Sequence, residues 1–108
     1  MSAAGYRVLF MLRVRPGGDE AFLAAYERVR WAVAGTPGHL GDQLCQSTED
    51  PEQWLITSQW RSEADFLDWE RTPGHRDLAA PMLELVTERR SLRYAVVHET
   101  VLPNGAPR

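Results

Sequence analysis

Three features of the 108-residue chain predict an α+β domain of strand–helix–strand–strand–helix–strand order. The stretch Tyr6–Arg15 alternates strictly with a period of two. Phe22, Tyr26, Val29 and Val33 then recur at helical spacing. Finally, two β-rich runs joined by a short turn are followed by a second helical stretch and a last alternating run.

Each element has a local cause. In Tyr6–Arg15, Tyr6, Val8, Phe10, Leu12 and Val14 make one unbroken apolar face, and Arg7, Leu9, Met11, Arg13 and Arg15 a mixed one. Apolar residues on both faces predict a strand covered on both sides. Pro16-Gly17-Gly18 ends it, and Asp19 is the expected N-cap of a helix running to about Ala34. Gly35-Thr36-Pro37-Gly38 stops that helix. His39–Ser47 and Trp54–Trp60 read as strands, with Glu49-Asp50-Pro51 at the centre of the turn between them, so they should form a hairpin.

Ser62 with Asp65 three residues on resembles a capping box and opens a short helix carrying Phe66, Leu67 and Trp69. Thr72-Pro73-Gly74 interrupts it. A further helix is expected from near Pro73 to about Arg90, with Leu78, Met82, Leu85 and Val86 as its stripe and a kink or restart at Pro81. Leu92–Leu102 is the expected last strand, with Tyr94, Val96 and His98 opposite Arg93, Ala95 and Val97. The order is the ferredoxin-like βαββαβ arrangement, a four-stranded antiparallel sheet with helices on one face. Residues 6–102 are expected to form a single domain, with flexible termini at 1–5 and 103–108. The face without helices would carry Leu9, Met11, Leu55, Ala95 and Val97, an apolar patch that packing against a second copy would cover.

Composition narrows the function. Hydrophobic residues make up 44% and charged residues 25%, an ordinary globular balance. A net charge of −3 argues against a nucleic-acid partner, which calls for a basic surplus. All 12 basic residues are arginine, scattered along the chain. Cys45 is alone, so no internal disulfide is expected, which fits a reducing cytoplasm. No apolar run approaches the ~20 residues of a membrane span. A soluble cytoplasmic protein without membrane contact is the expectation. The three histidines and one cysteine have no metal-ligand spacing, and there is no glycine-rich phosphate loop. No metal, nucleotide or flavin cofactor is expected.

Several residues could carry chemistry. Trp54, Ile56, Ser58 and Trp60 share one face of the third strand. Trp60 could wall a site for a flat aromatic molecule or simply fill the core. Trp69 stands before the helix break. His75 follows Pro-Gly at a helix start, where the dipole favours an uncharged, base-competent ring. Arg76 beside it could hold a phenolate or enolate, and Ser58 could bond a carbonyl. Tyr94 on the last strand could reach the same cleft as Trp60. His39 and His98 read as structural or solvated, and Trp31 lies off the helical stripe.

The stretches Pro37–Leu44 and Asp50–Trp60, with Trp69-Glu70-Arg71, His75-Arg76 and Ala80-Pro81-Met82, resemble the SchA/CurD-like family of aromatic polyketide gene clusters. The wider pattern, Trp60-x-Ser-Glu-x-x-Phe-x-x-Trp69 followed by Pro-Gly-His75-Arg, is similar to the antibiotic biosynthesis monooxygenase superfamily. The resemblance implies a dimeric α+β barrel with a ligand cleft between sheet and helices. It also implies a part in type II polyketide biosynthesis, with an aromatic polyketide as ligand. One implied activity is a cofactor-independent monooxygenase that uses O2 to turn an anthrone or polycyclic phenol into a quinone. His75, Arg76 and Ser58 would then be catalytic, and Trp60, Trp69, Tyr94, Trp54 and Phe66 would bind substrate. The alternative is a cyclase or cyclisation aid of the same pathway, and a third is a non-catalytic partner that stabilises other enzymes of the pathway, other polyketide cyclases among the partners. Haem-degrading relatives carry an Asn on the first strand and a His ten residues after a Trp. Here the first strand has no Asn and Ala79 follows Trp69 at that distance, which disfavours haem degradation. Ile56 stands where anthrone oxygenases carry an Asn on the third strand.

Overall fold

The alternating run at the start of the chain becomes the centre of the sheet. In the computed structural model, which describes residues 5–103, β1 (Tyr6–Val14) lies between β3 (Gln53–Trp60) and β4 (Val86–Ala95). The other elements are α1 (Asp19–Ala34), β2 (His39–Gln46), α2 (Glu63–Glu70) and α3 (His75–Leu83). The strand order is β2-β3-β1-β4 and every pairing is antiparallel, as the βαββαβ reading requires. The loose ends expected at residues 1–4 and 104–108 lie outside the described residues.

The register sorts the side chains. Tyr6 pairs with Trp60, Val8 with Ser58, Phe10 with Ile56 and Leu12 with Trp54, so these four pairs share the face that the helices cover. Two apolar clusters fill that space. Leu12, Val14 and Trp54 pack with Phe22 and Tyr26 of α1 and Met82 of α3. Tyr6, Val8 and Trp60 pack with Val33 of α1 and Phe66 of α2. Burying each large apolar side chain contributes about 1.5–3 kcal/mol. The expected stripe of α1 therefore does face the sheet.

Two local expectations change. Asp19 is the first residue of α1 and Gly18 is its N-cap, with no side-chain capping bond. The Ser62 cap holds as expected, its hydroxyl accepting from the Asp65 N–H at 3.1 Å. The largest revision concerns the end of the chain. α3 stops at Leu83, and β4 spans Val86–Ala95 where a helix to Arg90 and a strand over Leu92–Leu102 were expected. The cause is tertiary. Leu85 accepts a hydrogen bond from the Arg15 N–H at 2.8 Å, and Val86 pairs with the fully buried Val14. Leu85 and Val86 reach the core from a turn and a strand, although their spacing also suits a helix. Pro81 sits inside α3 without ending it.

This earlier start fixes which way β4 faces. Arg89, Ser91, Arg93 and Ala95 lie opposite Leu12, Phe10, Val8 and Tyr6 on the helix side. Leu92 and Tyr94 pair with Leu9 and Arg7 on the open side. Ala95 therefore leaves the open apolar face, Val97 falls beyond the strand, and Leu92 and Tyr94 join Leu9, Met11 and Leu55 there.

Candidate functional site

The helix-covered face is only partly filled. Between the sheet and the three helices lies a cleft of about 1260 Å³. Residues of α2 and α3 border it, two short helices separated at Thr72-Pro73-Gly74, where Gly74 takes φ +96° as the N-cap of α3. One wall is aromatic. Trp60 is 2% exposed and lies 5.4 Å from Phe66, edge-on, and 5.7 Å from Trp69. Trp69 in turn lies 4.7 Å from the His75 ring. Trp60 is thus both core and cleft lining, so the two readings of it do not compete.

Ser58, two residues from Trp60 on the same face, accepts the indole Nε1–H at 2.9 Å. Its own O–H is left to donate into the cleft, to a carbonyl or phenolate oxygen. His75 is half-buried, and its Nδ1 is buried with no hydrogen-bond partner among the described residues. Arg76 is exposed and borders the cleft. The structure thus brings Ser58, Trp60, Phe66, Trp69, His75 and Arg76 around one space.

Two expected ligand contacts lie elsewhere. Trp54 is 7% exposed and packs at 5.4 Å against Phe22, in the apolar cluster beyond the cleft. Its large ring closes the end of the core under α1 and is not part of the cleft lining. Tyr94 points to the open side of the sheet, because it pairs with Arg7. Its neighbour Arg93 faces the cleft instead. The Arg93 guanidinium lies 5.0 Å over the Phe66 ring and donates to Glu70 Oε2 at 2.6 Å.

A further group was not expected. His39, Asp42 and Tyr26 also line the cleft. Tyr26 donates its O–H to Asp42 Oδ1 at 2.6 Å. Burial, and then the Asp42 carboxylate, push the Tyr26 phenol well above its ordinary range. His39 Nε2 lies 3.2 Å from Asp42 Oδ2, and its ring meets Trp60 edge-on at 5.1 Å. The turn at Pro37-Gly38 does not leave His39 in solvent: its side chain is 5% exposed. Among the described residues no group of three or more His, Cys, Asp or Glu side chains is arranged to hold a metal ion, and no helix is long and apolar enough to cross a membrane.

Comparison with known proteins agrees with this architecture. The family model described as antibiotic biosynthesis monooxygenase matches residues 5–81. A 42.8 kDa protein in the whiE locus of Streptomyces coelicolor is 51% identical over 101 residues, covering 94% of this chain and 25% of that protein. Protein SchA of Streptomyces halstedii is 47% identical over 94 residues, covering 87% of this chain and 25% of that protein. The chain thus spans about a quarter of the length of these curated relatives. Among solved structures, SnoaB, a cofactor-independent oxygenase from Streptomyces nogalater, superimposes with a TM-score of 0.79 at 18% identity, over 94% of this chain and 99% of that one. At that identity the likeness speaks for the fold. On the family match and the close relatives together, the chain belongs to the antibiotic biosynthesis monooxygenase family, among the SchA-like proteins.

Proposed function

We propose that the chain binds a flat, polycyclic phenol of the anthrone type in the cleft and oxidises it with O2, without a cofactor, to the quinone. The observation that carries this reading is the cleft itself: about 1260 Å³ of space with an aromatic wall and a few convergent polar groups. That is at or above the ~300–1,000 Å³ typical of small-molecule sites, so a fused-ring guest has room beside Trp60 and Trp69. The SchA-like and SnoaB likenesses add weight, since one relative is described as a cofactor-independent oxygenase.

In such chemistry the substrate does the redox work. An acidic C–H flanked by aromatic rings gives up its proton, and the carbanion passes one electron to O2. The radical pair then joins at carbon to give a peroxide, which loses water, so that a CH2 group and O2 become C=O and H2O. The protein's share is to remove the proton, hold the oxygen anion and keep water away. His75, which lines the cleft next to Trp69, is the group to take the first proton. Ser58 and Arg76 hold the oxygen anion, and Trp60, Phe66 and Trp69 hold the rings. Oxygen uptake by purified, metal-free protein with 1,8-dihydroxyanthrone tests the reading. Stoichiometric quinone formation above the buffer rate is expected, and none would end it.

A cyclase would use the same proton-transfer groups on a poly-β-ketone. The observation in its favour is that Arg93, Glu70 and Asp42 give the cleft charged groups of both signs, which suit the polar oxygens of a poly-β-ketone. An oxygenase stops under anaerobic conditions and a cyclase does not.

The open face of the sheet, with Leu9, Met11, Leu55, Leu92 and Tyr94, fits a second copy of the chain packed sheet to sheet. Sedimentation at micromolar concentration should give a dimer, and substituting Leu92 with Arg should give a monomer.

A further inference from the structure

We infer that His39, oriented by Asp42 and Tyr26, is a second proton-transfer residue of the cleft, acting with His75 on the bound polycyclic phenol beside the Trp60 and Trp69 rings. The inference rests on the oxygenase reading above. It begins with the backbone. His39 and Asp42 are three residues apart, and in a regular strand they would point to opposite faces. Here His39 pairs with Trp60 and Gly41 with Gln59, so the register shifts and Leu40 is the extra residue of a β-bulge. Leu40 is turned out and 65% exposed. Asp42 pairs with Ser58, so both His39 and Asp42 face the helices. Bulges leave a ladder position unpaired and re-aim a side chain, and they gather beside active sites.

The second observation is burial without satisfaction. The His39 side chain is 5% exposed and that of Asp42 15% exposed. His39 Nε2 is 3.2 Å from Asp42 Oδ2 but out of line, and it has no hydrogen-bond partner among the described residues. Catalytic hydrogen bonds of unliganded sites are often loose in this way and tighten around the substrate. Tyr26 fixes the other carboxylate oxygen at 2.6 Å, so Asp42 is already held in place. Once Nε2–H donates to Asp42, Nδ1 is the atom that can receive a proton.

The third observation is spatial order. His39 lies 5.1 Å from Trp60, Trp60 lies 5.7 Å from Trp69, and Trp69 lies 4.7 Å from His75. Both imidazoles thus border the same pair of indoles. The chemistry has work for both. His75 takes the first C–H proton and returns it to the peroxide anion formed when the carbanion combines with O2. His39 then removes the remaining proton from the same carbon. As it does so, the C=O bond forms and the O–O bond breaks. The departing hydroxide collects the proton from His39 as water, and both imidazoles end neutral.

The test uses the full chain with 1,8-dihydroxyanthrone. Deuterium exchange at its CH2 carbon, followed by NMR without O2, reads the first proton transfer. Quinone formation in air reads the whole sequence. His39→Gln should keep the exchange rate within about threefold and lose about 100-fold or more in quinone formation, with hydroperoxide accumulating. Asp42→Asn and Tyr26→Phe should show the same split with smaller losses, and His75→Gln should lose exchange. Equal quinone rates in His39→Gln and wild type, or equal loss of both readouts in a folded His39→Gln, would overturn the inference and leave the oxygenase reading standing. No exchange and no quinone from the wild type would instead overturn both. A readout independent of any variant is the ¹⁵N spectrum of the wild-type histidines. Saturation with 1,8-dihydroxyanthraquinone should shift His39 towards the Nε2–H form, and an unchanged His39 ring would overturn the inference.

Discussion

Replacing Gly38 with Ala tests how tightly the turn that delivers His39 is held. Gly38 has φ +84°, and an added Cβ would sit 2.3–2.4 Å from Oδ2, Cβ and Cγ of Asp65. Two costs follow. A residue with a Cβ in the left-handed region costs about 1–2 kcal/mol. Displacing a packed neighbour costs about 1–3 kcal/mol more. Asp65 has little freedom to give way, because its N–H caps α2 through Ser62 at 3.1 Å and its carboxylate accepts from Arg61 at 3.1 Å. Gly17→Ala is the control. It has φ +81° but nothing within 4 Å of the added carbon, so it carries the conformational cost alone. The expectation is about 2–5 kcal/mol for Gly38→Ala against about 1–2 kcal/mol for Gly17→Ala. With a urea slope of about 2 kcal/mol/M, the midpoints should fall by about 1–2.5 M and about 0.5–1 M. Equal midpoints would refute the argument, since they would mean that β2 and α2 are not in contact through Gly38 and Asp65. Because Gly38 also accepts the Arg61 N–H at 2.8 Å, a shift there should move His39 and slow quinone formation in the fraction still folded.

Ser58→Ala should leave the buried Trp60 Nε1–H without its acceptor and cost about 1–3 kcal/mol, read by urea denaturation with tryptophan fluorescence. Arg13 holds the Asp50 carboxylate below its ordinary value of 3.8, chiefly through their hydrogen bond. A lowered carboxylate adds stability above 3.8 that is lost as the pH falls through its folded value. Arg13→Met should therefore flatten that acid limb in pH-dependent denaturation. Tyr26 runs the other way: its phenol is raised from 10.0 by burial and Asp42, so its contribution is complete below pH 10 and is lost as the pH rises further. Tyr26→Phe should remove that alkaline fall, measured by circular dichroism.

The order of elements was legible because each carries its own period. The alternation of Tyr6–Val14 and the stripe of α1 depend only on neighbours in sequence. The cleft wall followed from them, since Ser58 and Trp60 share a strand face by parity and Phe66 and Trp69 share a short capped helix. Trp54 obeys the same parity and still lies outside the cleft, because α1 brings Phe22 down upon it. Parity says which face a residue takes and nothing about what covers it. β4 failed for a different reason. Leu78, Met82, Leu85 and Val86 fit a helix as well as a helix followed by a turn and strand. The pairing of Val86 with Val14 decides the matter from 72 residues away. Once the strand start moved, Tyr94 and Arg93 exchanged faces.

The site residues that escaped the sequence show where local reasoning ends. His39 and Asp42 are separated by three residues, a spacing that strand parity assigns to opposite sides. One extra residue at Leu40 reverses that assignment and creates the pair. A signal was present: Gly41 stands inside an otherwise ordinary strand, and a lone glycine there often marks a bulge. Gly41 has open space around its missing Cβ, so no crowding demands it. The glycine that packing does require is Gly38, one residue before His39. The turn at Gly38 and the bulge at Leu40 therefore act together. The first fixes where β2 enters the sheet against α2, and the second turns Asp42 inward to meet His39. Lengthening or shortening β2 by one residue at position 40 should keep the hairpin with β3 but send either His39 or Asp42 to the open face, separating the pair while leaving Trp60, Phe66 and Trp69 in place.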